Sequence, residues 1–142
     1  MTTEHTDDLA PALRMAVMRL ARRLRLEDTA ADATISQLSA LAVIEKYGPI
    51  IIGDLAARER VQPPTMTRMV TNLEALKLIE RLGDLNDRRV VRVAITKTGS
   101  GALADSRRRR TAFLATNLRT LTKDERSALL RALPILERLA EA

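Results

Sequence analysis

Apolar residues follow the 3.6-residue period of a helix at both ends of the chain and lose that period in between. From Leu9 to Leu26 the series Leu9, Leu13, Ala16, Val17, Leu20 and Leu24 marks one helical face, with Arg14, Arg19, Arg22, Arg23 and Arg25 filling much of the rest. At the other end Thr122 and Glu125 have the spacing of a capping box, and Leu129, Leu130, Leu133, Leu136 and Leu139 continue from it as a second stripe. Pro134 lies inside that stripe and predicts a kink, because it deletes the bond to the Leu130 carbonyl. Before it, Thr96 is the expected cap of a helix that runs past Gly99 and Gly101 through Leu103, Phe113, Leu114 and Leu118.

Between these ends the chain is punctuated, since only Pro11 and Pro134 of its glycines and prolines lie outside Gly48–Gly101. A helix is predicted from Ser36, as N-cap, to Tyr47, where Gly48-Pro49 stops it. The β-branched run Ile50–Ile52 follows, then a short helix from Leu55 to Arg60 with Asp54 as its expected cap. Val61-Gln62 makes a turn. Pro63-Pro64 opens the next helix at the one place where missing N–H donors are tolerated, and Met66, Met69, Val70, Leu73 and Leu76 form its inward stripe. Two helices joined by so tight a turn are the sequence form of a helix-turn-helix. From Ile79 the period changes again: Ile79, Arg81 and Leu82 read as a strand, Gly83–Asp87 as a tip, and Val90–Ile95 as the returning strand.

Composition narrows the chemistry. The 142 residues carry a net charge of +6, no Cys, no Trp and a single His, at position 5. Disulfides, thiolate zinc sites and thiol oxidation switches are therefore excluded, and no metal or cofactor is expected. The longest unbroken apolar stretch, Leu41–Ile44, is far below the roughly 20 residues that span a bilayer. The acidic, polar start MTTEHTDD is unlike a secretory signal, so the expected location is the cytoplasm. Arginine makes up 20 of the 24 basic residues, and its planar fork suits phosphates and base edges.

The helix from Pro64 to Lys77 carries the candidate chemistry. With its apolar stripe turned inward, the opposite face presents Pro64, Thr67, Arg68, Thr71 and Ala75, flanked by Thr65 and Asn72. Hydroxyls, an amide and a guanidinium without any acid are an inventory for major-groove edges and phosphates. A plain solvated face is the alternative. The hairpin tip adds Asp87, Arg88 and Arg89, with Arg92 on the return strand. Such a wing can place an Arg in the minor groove, while Asp87 holds an arginine in position. Local ion pairs on a solvated hairpin are the alternative there.

Asp54-Leu55-Ala56, Pro63-Pro64-Thr65, Thr67-Arg68, Leu73-Glu74, Leu78-Ile79-Glu80-Arg81, Asp87-Arg88-Arg89 and Thr96-Lys97-Thr98-Gly99 together resemble the MarR family of winged helix-turn-helix transcriptional regulators. The fold class expected is mainly α with a small β-hairpin wing, a winged helix-turn-helix domain joined to a helical dimerisation hub. The corresponding divisions are residues 1–34, an N-terminal dimerisation helix, 35–96, the DNA-binding domain, and 97–142, the C-terminal dimerisation helices. The resemblance implies a homodimer on a pseudo-palindromic operator, most often a repressor, with a small-molecule effector near the junction of hub and winged domain. By the same resemblance Gln62, Pro64, Thr65, Thr67, Arg68 and Thr71 face the major groove, Arg88 enters the minor groove, and Asp87 and Arg89 shape the wing. Lys77 departs from the family pattern, which has Gly there to end the recognition helix. A last turn without the left-handed cap is the consequence expected.

The apolar ends independently favour a dimer, since they hold more apolar surface than one small chain hides within itself. Charge is not concentrated on the motif. The run Arg107–Arg110 occupies a full helical turn and reads as solvated surface that steers DNA from a distance. A membrane-surface role for the first helix conflicts with the hub's claim on its apolar face. Tyr47 and Phe113 read as core residues or as walls of an effector pocket suited to an aliphatic or anionic molecule. No catalytic constellation is visible, so enzyme activity is not expected. The rival to a sequence-specific regulator is a non-specific architectural or protein-interaction module of the same fold, told apart by its indifference to DNA sequence.

Overall fold

The computed structural model describes residues 2–28 and 33–142, with side chains from residue 5 onward. Six helices and three short strands follow in the order α1 (Thr2–Leu26), α2 (Ile35–Tyr47), β1 (Ile50–Ile51), α3 (Ile52–Glu59), α4 (Pro63–Ala75), β2 (Ile79–Gly83), β3 (Val91–Ile95), α5 (Lys97–Leu118) and α6 (Lys123–Glu141). Helices α1 and α6 run on through their internal prolines, Pro11 and Pro134. None of the described helices is long and apolar enough to cross a membrane.

The core lies in the middle of the chain. Leu38, Leu41 and Ile44 of α2, Leu55 of α3 and Met66, Val70 and Leu73 of α4 close on Ile79 and Val93 of the sheet and on Leu103 of α5. The predicted α4 stripe is thus buried, except that Met69 is half-buried and Leu76, at the helix end, is exposed. Strands β2 and β3 form the predicted hairpin, pairing Ile79 with Ile95 and Gly83 with Val91. The Ile50–Ile52 run adds a third strand on the far side of β3, Ile50 opposite Val93, giving the order β1-β3-β2.

Two predicted caps move. Thr34, not Ser36, caps α2: its hydroxyl accepts from the Gln37 N–H while the Gln37 side chain accepts from the Thr34 N–H. Helix α3 starts two residues before the predicted cap Asp54, directly from the paired strand, and Asp54 lies in its first turn, where a carboxylate favours the positive end of the helix dipole. The caps at Thr96 and Thr122 are as predicted, each hydroxyl accepting from an N–H three residues on.

The terminal helices behave differently from the middle. Helix α6 buries no residue within the chain, and Leu9, Met18, Leu130 and Leu139 are each more than half exposed. Tyr47 and Phe113 are not core either. The guanidinium of Arg58 lies 3.7 Å from the Tyr47 ring centre and that of Arg23 4.8 Å from Phe113.

The run Arg107–Arg110 is corrected by its partners. Arg107 pairs with Glu45 at 3.0 Å and Arg108 with Asp105. Arg109 grips the Asp28 carboxylate at 2.7 Å, and Arg110 donates to the Ser106 hydroxyl at 2.8 Å. Ser106 itself donates to Asp28, whose side chain is only 4% exposed. Arg109 and Arg110 thus fasten the end of α1 to α5 and are not a solvated steering surface, whereas Arg107, tied to α2, and Arg108 stay more than half exposed. Burial alone pushes the Asp28 carboxyl up, but the Ser106 hydroxyl and the Arg109 guanidinium outweigh it and hold the group below the usual carboxylate range.

A carboxylate depressed by folding stabilises the fold above its ordinary value and loses that contribution as the pH falls through the lowered one. Asp28→Asn should cost about 1–3 kcal/mol at neutral pH, because Arg109 loses its counter-charge in a mostly buried site. The gap between the two proteins should narrow as the pH falls below the ordinary 3.8. Urea unfolding along an acid series measures it, and a gap that stays constant down to pH 2 would contradict the assignment.

Candidate nucleic-acid interface

Helix α4 owes its position to its two ends. At its start Pro63 and Pro64 occupy first-turn positions, with Gln62 as N-cap. At its end the Lys77 N–H donates to the Glu74 carbonyl at 2.9 Å and the Leu78 N–H to the Leu73 carbonyl at 3.0 Å. This is the paired closure that ordinarily uses glycine, here with Lys77 at φ 61°. The expectation that the helix closes without a left-handed cap is therefore overturned: the cap is kept, with a lysine under backbone strain. Helix α3 ends alike, on Arg60 at φ 55°. In both cases the strained residue is a cation at the negative end of a helix dipole.

The outward face presents Gln62, Pro64, Thr65, Thr67, Arg68, Thr71 and Asn72, all exposed. Thr67 donates its hydroxyl to the Pro63 carbonyl and Thr71 to the Thr67 carbonyl, each at 3.0 Å. Arg81, on β2, reaches across to Thr71 Oγ1 at 3.3 Å and to Glu74 at 3.2 Å. Sequence reasoning assigned Arg81 only to a strand. The signal was strand alternation, which puts Arg81 on the same face as buried Ile79 and so toward α4.

The wing is organised by two aspartates. Asp84 accepts from the Asn86 N–H at 2.8 Å and from Arg92 at 3.0 Å, and these two donors hold its carboxyl below the usual range. Asp87 accepts from the Arg89 N–H at 3.0 Å and from its guanidinium at 3.2 Å, with the same consequence. Asp87 thus holds an arginine as expected. Arg92, expected beside the DNA, is half-buried and tied to Asp84 where the strands pass into the tip loop. Nothing local marks Asp84 as more than a turn residue, because its pairing with Arg92, eight positions away, depends on the hairpin register.

The arginines of this surface therefore divide. Arg81, Arg89 and Arg92 are each held by an acid, whereas Arg68 on α4 and Arg88 at the wing tip have no hydrogen bond or ion pair among the described residues. Two unneutralised guanidiniums, one on the helix and one on the wing, flank a face of short polar side chains. Among the described residues no group of His, Cys, Asp or Glu is arranged to hold a metal ion.

The MarR family profile matches residues 33–91. An uncharacterized HTH-type transcriptional regulator of Mycobacterium bovis is 38% identical over 133 residues, covering 94% of this chain and 93% of its own length. The chain belongs to the MarR family. The HTH-type transcriptional repressor MdtR of Bacillus subtilis is 34% identical over 109 residues, 77% of this chain and 68% of that one. A crystal structure of a Pseudomonas aeruginosa protein, 34% identical, superposes with a TM-score of 0.89 over 99% of both chains. As a MarR-family protein the chain is a DNA-binding transcriptional regulator, built as a winged helix-turn-helix with long terminal helices.

The strained cap gives a direct test. Relieving the left-handed strain of Lys77 is worth about 1–2 kcal/mol, offset by about 0.4–1 kcal/mol of added freedom in the unfolded chain. Lys77→Gly should be more stable than the wild type by up to about 1.6 kcal/mol, and β-branched Lys77→Val less stable by about 1 kcal/mol. Urea unfolding of the three proteins checks the stability order Gly, Lys, Val; three equal stabilities or the reverse order would refute the strained cap.

Proposed function

We propose that this MarR-family protein is a cytoplasmic, sequence-specific repressor that binds a pseudo-palindromic operator in double-stranded DNA as a homodimer. Gln62, Pro64, Thr65, Thr67, Arg68, Thr71 and Asn72 face the major groove. Arg88 enters the minor groove, Asp87 and Arg89 fix the shape of the wing, and Arg92 braces the start of the tip loop through Asp84. The single observation that carries this reading is the pair of unneutralised arginines, Arg68 on α4 and Arg88 on the wing, beside hairpin arginines, Arg81, Arg89 and Arg92, that are each matched to an acid. Repression is favoured over activation by the likeness to a relative named as a repressor.

Residues 35–96 act as the DNA-binding domain, with 1–34 and 97–142 forming the dimer hub. The exposed leucines of α1 and α6 support this division, and so does the groove of about 640 Å³ between those helices, lined by Leu13, Val17, Leu136 and Leu139. A second copy buries such a surface at little cost. A cleft of about 550 Å³ at the junction is lined by Leu24, Ile35, Leu38 and Leu103 with Arg107 and Arg110. Its walls are mainly apolar and its two guanidiniums are already paired, Arg107 with Glu45 and Arg110 with Ser106 and Asp28, so the cleft suits an aliphatic molecule, and we assign the effector there.

Selection from random duplexes, followed by footprinting, tests the reading. Two half-sites about one helical turn apart should be protected, and light scattering should give twice 15.8 kDa. Arg68→Ala should weaken operator binding by about 1–3 kcal/mol, more than it weakens random DNA, and Arg88→Ala should hurt most where the flank is A·T-rich. Equal affinity for selected and random duplexes would refute sequence reading, and a DNA-binding monomer would refute the hub.

A further inference from the structure

Of the three outward threonines of α4, Thr67 and Thr71 have already given their hydroxyl protons to the helix backbone. A threonine hydroxyl has one proton to donate and two sites that accept. Thr67 has given its proton to the Pro63 carbonyl and Thr71 to the Thr67 carbonyl. Thr71 Oγ1 is further occupied by Arg81 Nη2 at 3.3 Å. Neither residue has a proton left for a base, and the Thr71 oxygen is held between the helix backbone and a guanidinium from the neighbouring strand. Its γ-methyl carries no such tie, on a residue that is exposed. On base edges in the major groove the thymine C5-methyl is the apolar feature, and a threonine methyl is a partner for it.

We propose that Thr71 reads a thymine methyl and not a hydrogen-bonding edge, with Arg81 as the positioning residue that keeps its hydroxyl turned to the protein. The inference rests on the DNA-recognition reading above. Arg81 is suited to the task because Glu74, at 3.2 Å, anchors the guanidinium from α4 itself and neutralises it. The α4 face then divides its work: Arg68 and Asn72 supply donors, and Thr71 supplies an apolar contact.

Deoxyuridine removes only the C5-methyl of thymine, so the test replaces the half-site thymines of the selected operator one at a time. Titrations are made with wild type, Thr71→Val and Thr71→Ser. Valine keeps both branches without the hydroxyl, and serine keeps the hydroxyl without the methyl. Wild type should lose about fourfold in affinity at one thymine per half-site, the worth of one buried methyl pair. Thr71→Val should bind the operator within about twofold of wild type and keep that penalty, whereas Thr71→Ser, which removes the contact from both half-sites, should bind about sixteenfold more weakly and ignore the substitution. Arg81→Met should lose the penalty at that thymine, and Thr71→Val combined with Arg81→Met should regain it, since valine has no hydroxyl to misdirect. Wild type indifferent to every uracil, or Thr71→Val losing the operator while Thr71→Ser retains it, would overturn the proposal. Failure of wild type to enrich any sequence is a separate result that removes the operator reading and this inference with it.

Discussion

Leu78 is the point on which the rest of the molecule depends. Its N–H closes α4, its carbonyl accepts from the Thr96 N–H at 3.1 Å, and its side chain is buried in the core. Thr96 adds a hydroxyl bond to the Lys77 carbonyl at 2.7 Å while accepting from the Gly99 N–H at 3.0 Å. One side chain thus caps α5 and ties down the end of α4. The approach is so close that a Cβ at Gly99 would collide with the Leu78 carbonyl, so glycine is required there by space. The end of α4, the start of β2 and the first turn of α5 are therefore satisfied by the same few polar groups, and none of them can shift alone without breaking a bond that another shares.

Helix α5 carries that junction toward the other end of the molecule. Ser106 lies seven residues beyond Gly99, about 10 Å along the helix, and there Asp28, Arg109 and Arg110 fasten the end of α1. A cleft lined by Arg107 and Arg110 opens beside this cluster. One stiff helix thus joins the end of α1 to the end of α4. Charge follows the same plan: acids meet arginines where shape must be held, at Asp28, Asp84, Asp87 and Glu74, and are missing beside Arg68 and Arg88.

Much of this could be read from the sequence because it depends on local periods and caps. The apolar stripe of α4, the stop at Gly48-Pro49, the hairpin from Ile79 to Ile95 and the caps at Thr96 and Thr122 all follow from residues within a few positions of one another. What failed to appear depended on partners distant in sequence. Arg109 and Arg110 look like solvated charge until α5 is laid against the end of α1, and Arg81 looks like a strand residue until its face is turned to α4. Lys77 was misread for another reason: without glycine a left-handed cap is costly, but the bonds of Leu78 and Thr96 hold it in place. Asp54 was displaced as a cap because pairing of Ile51 with Arg92 carries the strand directly into the helix.

The claim that α4, the wing and α5 move as one body through Thr96 is tested most directly by amide hydrogen exchange in Thr96→Val. The substitution removes the hydroxyl bonds to Lys77 and Gly99 and leaves the backbone bond to Leu78. The amides of Lys77, Leu78 and Gly99 should all exchange faster, by a common factor of about tenfold, as expected for loss of about 1–1.5 kcal/mol from one cooperative unit. Faster exchange at Gly99 alone, with Lys77 and Leu78 protected as in wild type, would contradict the account.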